Sequence, residues 1–178
     1  MANTCFVTIE LTFSSPEEAA ERAEQYGQAA DIDSRGLFLG ADDRWVADAE
    51  VDLREDTVTV IGAVRWDLNA YSFLQMMKHT GCKSARAWYD ECGELLHGRY
   101  EWDGAALRCW QVPADDYPDF TEADEEDGGA AHCAKLDALL DAQPLTWSAT
   151  PEQIEEDERK YQEALARRWG KSDSSSNP

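Results

Sequence analysis

Basic side chains are scarce in this chain, which has 16 Lys and Arg against 37 Asp and Glu and a formal net charge of -21 over 178 residues. Because such a surface repels phosphate groups and anionic lipids, direct binding to nucleic acid or to a membrane is not expected. The chain has no apolar run of the ~18 residues that a membrane helix requires. Its first residues also lack the features of a signal peptide, so we expect a cytoplasmic protein.

Recognisable catalytic signatures are also lacking. The sequence has no nucleophile elbow, no HExxH zinc motif, no Rossmann glycine pattern and no complete P-loop. Five cysteines, an odd number, are more typical of reduced thiols than of a disulfide framework. We therefore expect a protein that is not an enzyme and that uses no cofactor.

One weak metal candidate is present. His79 and Cys82 are separated by two residues, and Cys92 and His97 by four, so four zinc-type ligands would meet if the helix end and the following hairpin were adjacent. Both cysteines fit equally well as small buried residues. A small zinc-binding or structural module, whose acidity serves only solubility, is therefore the alternative to the function argued below.

The rest of the sequence predicts alternating strands and helices. Apolar side chains recur at every second position in the strands, and Ser, Thr or Asn residues stand where helices begin. An Asp103-Gly104 turn indicates a hairpin. The predicted elements are a strand over 4–13, a helix over 15–30, strands over 36–40, 44–53 and 57–66, a helix over 69–81, a strand over 84–91 and a hairpin over 94–112.

This order predicts an α+β protein with a ferredoxin-like split βαβ core and an extended antiparallel sheet, followed by C-terminal helices. We expect four segments that differ in composition. They are the core over 1–112, an acidic loop over 113–129, a helical pair over 130–169 and a disordered tail over 170–178.

Several short motifs lie within residues 64–112. They are Arg65-Trp66, His79-Thr80-Gly81-Cys82, Trp88-Tyr89-Asp90-Glu91, Leu96-His97-Gly98 and Trp102-Asp103-Gly104. In these residues the chain resembles the Api92-like family, proteins carried by phages, plasmids and other mobile elements. The resemblance implies a ferredoxin-like domain and a mobile-element origin, and it implies no catalytic residues.

Two groups of acids are candidate partner contacts. In the strand over 44–53, alternation predicts that Trp45, Ala47, Ala49, Val51 and Leu53 share one face, and that Asp48, Glu50 and Asp52 share the other with a spacing of ~6.6 Å. That spacing is of the same order as the phosphate spacing of nucleic acid. The second group lies in the segment 115–127, of which eight positions are acidic: Asp115, Asp116, Asp119, Glu122, Asp124, Glu125, Glu126 and Asp127.

A charge of this size costs stability through self-repulsion, so we expect it to serve a function. We predict a protein inhibitor from a phage or plasmid that mimics nucleic acid and occupies the basic nucleic-acid site of a host protein, such as a CRISPR effector or a restriction complex. It would then be an anti-CRISPR-like, anti-defence protein. A homodimer through Tyr161, Leu165 and Trp169 of the last helix is a further expectation.

Overall fold

The computed structural model describes residues 4–32, 36–41, 44–65, 68–91, 95–126 and 129–169, so the predicted tail over 170–178 lies outside the described residues. The strands and helices are β1 (Thr4–Thr12), α1 (Pro16–Ile32), β2 (Leu37–Ala41), β3 (Arg44–Arg54), β4 (Thr57–Arg65), α2 (Ala70–Thr80), β5 (Ser84–Glu91), β6 (Leu96–Trp102), β7 (Leu107–Gln111), α3 (Glu122–Glu126), α4 (Ala130–Ala142), β8 (Trp147–Ala149) and α5 (Pro151–Trp169). Within the described ranges, no helix is both long and apolar enough to cross a bilayer.

All eight strands form one sheet in the order β2-β3-β4-β1-β5-β6-β7-β8, and neighbouring strands are antiparallel. The predicted α+β class, with an extended antiparallel sheet and C-terminal helices, is confirmed. The four strands β3-β4-β1-β5, with α1 following β1 and α2 following β4, have the order expected of a split βαβ core. The assignment to the ferredoxin-like fold stays a prediction.

The two faces of the sheet differ sharply, and β1 shows why. Side chains of a strand point alternately to opposite faces, and in β1 the odd-numbered ones are apolar. Cys5, Val7, Ile9 and Leu11 are at most 3% exposed and form the centre of the core. Phe6, Thr8, Glu10 and Thr12 point to the other side. We call the first side the covered face and the second the open face.

Helices α1 and α2 pack on the covered face. Tyr26 of α1 and Phe73 of α2 belong to the same buried cluster as Ile9. Local signals define where these helices begin: the backbone N–H of Glu18 donates to Ser15 Oγ, and the N–H of Ser72 donates to Asn69 Oδ1. Burial of this apolar cluster is the main source of the free energy that holds helices and sheet together.

The two C-terminal helices contact different faces. In α5, Ile154 is buried in the cluster of the covered face, and α5 packs against α2. In α4, Leu136 and Leu140 are buried, and α4 packs against β6 on the open face. Between them lies β8, a strand that the sequence did not predict and that extends the sheet beyond β7. The sheet therefore has helices on both faces, but within the described ranges the layer on the open face is incomplete.

A bulge in β3 corrects the predicted alternation of that strand. The pairing with β4 shifts by one residue between Ala47 and Glu50, and Asp48 has a φ of 51°. The extra residue changes the phase, so Ala47 lies on the open face together with Glu50, opposite Ala63 and Ile61 of β4. The prediction that Trp45, Ala47, Ala49, Val51 and Leu53 share one face is therefore wrong.

The segment predicted as an acidic loop contains two short helical pieces. A single 3₁₀ turn covers Ala114–Asp116, and α3 follows six residues later. The hydroxyl of Tyr117 donates to Asp90 Oδ1 of β5 over 2.8 Å, which fixes the segment against the open face.

Candidate protein-binding surface

The open face carries an uncovered strip beside α4. Cross-strand pairing places Ala47, Ala63 and Phe6 in one row across β3, β4 and β1, and Glu50, Ile61 and Thr8 in the next row. Phe6 is 59% exposed and Ile61 is 46% exposed. We call these six residues the open strip. Apart from Thr8 and Glu50, which lies at the β3 edge, they form an apolar floor in which the side chains of Phe6 and Ile61 contact solvent.

The width of the open strip matches one helix. Neighbouring strands are about 4.8 Å apart, so β3 and β5 are separated by about 14 Å. An α-helix with its side chains has a diameter of about 10–12 Å. Helix α4 lies over β6, on the side of the open face away from β3, where Asp141 accepts a hydrogen bond from Arg99 Nη1 over 3.1 Å. There is therefore room for one further helix beside α4.

On the β3 side, Glu50 faces the open side at the edge of the open strip, and Asp48 lies beside it at the bulge. Asp48 and Glu50 are exposed, and within the described residues no strand pairs with β3 beyond Val46 on its outer side. Charges and a bulge on an unpaired strand edge prevent other strands from pairing there. The acids at this edge therefore have a structural explanation that does not require a binding partner. The predicted regular row of Asp48, Glu50 and Asp52 is wrong at Asp48, where the bulge interrupts it, whereas Glu50 and Asp52 both face the open side opposite Ile61 and Thr59.

Asp52 differs from its two neighbours, because its charge is used locally. One carboxylate oxygen accepts from the backbone N–H of Leu53 over 2.9 Å, and the other lies 3.3 Å from Nε of Arg54. Of the three acids, Glu50 is thus the one that faces the open side and has no hydrogen bond or ion pair among the described residues.

The acidic segment borders the open strip on the side of α4. Phe6 pairs with Asp90 across the β1–β5 ladder, and Asp90 accepts the Tyr117 hydroxyl. This contact places the acids on either side of Tyr117 near the row that contains Phe6. In the described part of the chain, no Lys or Arg pairs with the exposed acids of this segment, which are Asp115, Asp116, Asp119, Glu122 and Glu126.

Asp124 is an exception and corrects the prediction that it contacts a partner. Asp124 is 2% exposed. Its carboxylate accepts hydrogen bonds from the backbone N–H and the hydroxyl of Thr121 and from Nζ of Lys135. The hydrogen bonds from Thr121, followed by the one from Lys135, lower the pKa of Asp124 to about 2. This residue caps α3 and ties it to α4. The side chain of Glu125 and the whole of Asp127 lie outside the described residues.

At its other end, the open face carries arginines as well as acids. The next row contains Asp52, Glu10, Arg86, Glu101 and Arg108, and a cavity of about 360 Å³ opens there. Arg86 lies 3.7 Å from Glu101, and Arg108 donates to Asp103 over 2.7 Å. These arginines are therefore partly neutralised, so this end of the open face is not a basic surface.

The three predicted metal ligands that the structure describes, His79, Cys82 and His97, are not brought together. His79 lies on α2 against Phe38, and Cys82 is buried with its thiol 3.4 Å from Met77 Sδ, both on the covered side. His97 lies on the open face between Asp90 and Asp137. Cys92 lies outside the described residues, and no group of three potential ligands occurs among the rest of the described chain.

The apolar floor was missed by the sequence reasoning, although β1 contained a signal for it. Phe6 stands on the polar side of an alternating strand, next to Thr8 and Glu10, where a large aromatic side chain has no core to enter. Ile61 occupies the matching place in β4, one row away.

A comparison of this chain with protein-family models, with curated proteins and with solved structures finds no match. The resemblance to the Api92-like family and the mobile-element origin that it implies therefore stay predictions.

Proposed function

We propose that this protein is a non-enzymatic inhibitor that binds the basic nucleic-acid site of another protein and competes there with DNA or RNA. In an anti-defence setting the target would be a CRISPR effector or a restriction complex. The observation that supports the proposal is the position of the unpaired acids: they lie on both borders of the open strip, beside an apolar floor.

Charge alone would also be consistent with a protein that is acidic only for solubility. The open strip favours a binding function, because solubility does not require exposed Phe6 and Ile61 between two groups of acids. Opposite charges would raise the rate of association with a basic target and would make the affinity depend on salt.

The test is a capture experiment with the full chain, tagged and immobilised, in a nuclease-treated lysate of the source cells. Captured proteins are eluted with duplex DNA, with RNA and with salt in separate arms, and then identified by mass spectrometry. We expect a nucleic-acid-handling protein that all three arms release. The purified target should then lose its nucleic acid in a mobility-shift assay when this protein is added in stoichiometric amounts.

Two variants that each remove three charges separate a local surface from overall charge. The first is Asp115→Asn with Asp116→Asn and Asp119→Asn, beside the open strip. The second is Glu21→Gln with Glu24→Gln and Asp31→Asn, on α1. We expect the first variant to weaken binding roughly tenfold or more at low salt and the second to have a much smaller effect. Equal effects, or retention of the target in the presence of nucleic acid, would refute the proposal.

A further inference from the structure

The incomplete helical layer on the open face indicates what kind of element the target presents. We propose that the open strip binds a basic amphipathic helix of the partner, which lies on Phe6 and Ile61 next to α4. This inference rests on the proposed function and specifies the chemistry of its target.

The apolar floor sets the first requirement for the occupant. An amphipathic helix places apolar side chains three and four residues apart on one side, and this is how α4 itself uses Leu136 and Leu140 on the same face. The neighbouring strip offers Phe6 and Ile61 in adjacent rows of adjacent strands. A helix in this position would bury both side chains and complete the layer that α4 begins.

The acidic borders set the second requirement. Glu50 stands on the β3 side of the strip, with Asp48 exposed at the bulge beside it, and the acids around Tyr117 stand on the other side. None of the six residues of the strip is basic. A helix lying between these borders would have acids along both of its flanks, so its polar positions must carry Lys or Arg.

The same charges disfavour other occupants. A second copy of this chain would bring a further charge of -21 to the surface, and nucleic acid or an anionic membrane would be repelled in the same way. The chain's own last residues, 170–178, include no apolar side chain apart from proline and cannot fill the floor. A basic helix is the occupant that satisfies both requirements, and such helices commonly contact nucleic acid.

The experiment uses the full chain and a synthetic Leu/Lys peptide of roughly 18 residues with all leucines on one helical face. A peptide of equal composition with leucines and lysines permuted, so that no apolar face forms, is the first control. A Leu/Glu peptide of the same pattern is the second. Affinity is measured by calorimetry, and the binding surface is located by backbone amide shifts in NMR spectra.

We expect the amphipathic basic peptide to bind with shifts centred on Phe6 and Ile61, the permuted peptide to bind about tenfold more weakly, and the acidic peptide not to bind. Phe6→Ala should weaken binding about tenfold. Tyr161→Ala is its matched control, because Tyr161 of α5 is 58% exposed and Phe6 is 59% exposed. Ile61→Ala is compared in the same way with Leu145→Ala, since these residues are 46% and 45% exposed.

Three results would overturn the inference. They are a permuted peptide that binds as tightly as the amphipathic one, a Phe6→Ala variant with unchanged affinity for the peptide, and NMR amide shifts confined to another surface. The outcome also separates the inference from the proposed function. If the target is released by nucleic acid and by the acid variants but is insensitive to Phe6→Ala, the proposed function stands and the helix site falls. If the peptide binds at the open strip but the captured target does not handle nucleic acid, the proposed function falls.

Discussion

The two faces of the sheet are built from the same strands but differ in how far helices cover them. On the covered face, Ile9 is fully buried under α1 and α2, whereas one pairing row away on the open face Ile61 remains 46% exposed. On the covered face, the apolar side chains of β1 are buried within one chain. The open face is only partly covered by α4, and its uncovered part combines apolar side chains with unpaired acids. The difference separates the side of the sheet that stabilises the fold from the side on which we propose the binding site.

The largest expected effect comes from making the same substitution on the two faces. Ile9→Ala should lower the free energy of unfolding by about 2–5 kcal/mol, because it leaves a cavity in the core. Ile61→Ala should lower it by less than about 1 kcal/mol, because no cavity forms at an exposed site. Urea unfolding followed by circular dichroism measures both. Similar losses at the two sites would mean that the open strip is part of the core.

The next effect concerns Asp124, which anchors the acidic segment to α4. Its pKa lies below the ordinary value of 3.8, at about 2, so its contribution to stability is present above about pH 4 and is lost as the pH falls towards 2. Asp124→Asn should therefore be less stable than the wild type at neutral pH, and the difference should shrink over that range. The pKa of Asp103 is also lowered to about 2. Because Asp103 is present in both proteins, its contribution to the pH dependence cancels when their stabilities are subtracted.

Thermal unfolding of both proteins at a series of pH values tests this prediction. The control is Asp119→Asn, which removes an exposed acid of the same segment. A difference between the wild type and Asp124→Asn that stays constant from pH 6 to about 2 would contradict the assigned hydrogen bonds.

A smaller effect on stability is expected at the bulge in β3, where the alternation of side chains between the two faces shifts by one residue. Asp48→Val should cost about 1–2 kcal/mol, because a β-branched residue is strained at a φ of 51°. Glu50→Val is the control two residues further on, where the backbone φ is not positive. Unfolding in urea compares them, and an equal cost at both positions would argue against the bulge.

The smallest effect should come from the ion pair between Lys78 of α2 and Glu155 of α5, whose side chains are about half exposed. Lys78→Ala should change stability by less than about 1 kcal/mol, and the change should fade at high salt. Ile154→Ala, which removes the buried contact of α5, should cost more. If Lys78→Ala proved to be the more damaging of the two, the ion pair would have to be the main attachment of α5.

Local patterns predicted most of the elements correctly. The alternation in β1, the cap residues Ser15 and Asn69, and the Asp103-Gly104 turn each involve residues within a few positions of one another. Signals of this range depend on backbone geometry and on short hydrogen bonds, which a sequence displays directly. The boundaries of α1, α2 and β5 agree with these signals to within a few residues.

The errors occurred where distant parts of the chain meet. The bulge at Asp48 is defined by the register with β4, and β8 exists because it pairs with β7. Asp124 looked like any other surface acid, since its burial depends on Thr121 and Lys135. For the same reason, composition could not show which acids are engaged in hydrogen bonds or ion pairs within the fold and which are not.

By itself, the sequence determined the excess of negative charge, the two-sided character of the strands and the α+β class, because each follows from the order and type of neighbouring residues. Only the tertiary structure decided that α4 covers one part of the open face and leaves Phe6 and Ile61 uncovered between acids. The physical reason is that a helix's own sequence fixes its apolar side, whereas the face of the sheet that it covers is chosen by contacts with residues far away in the chain.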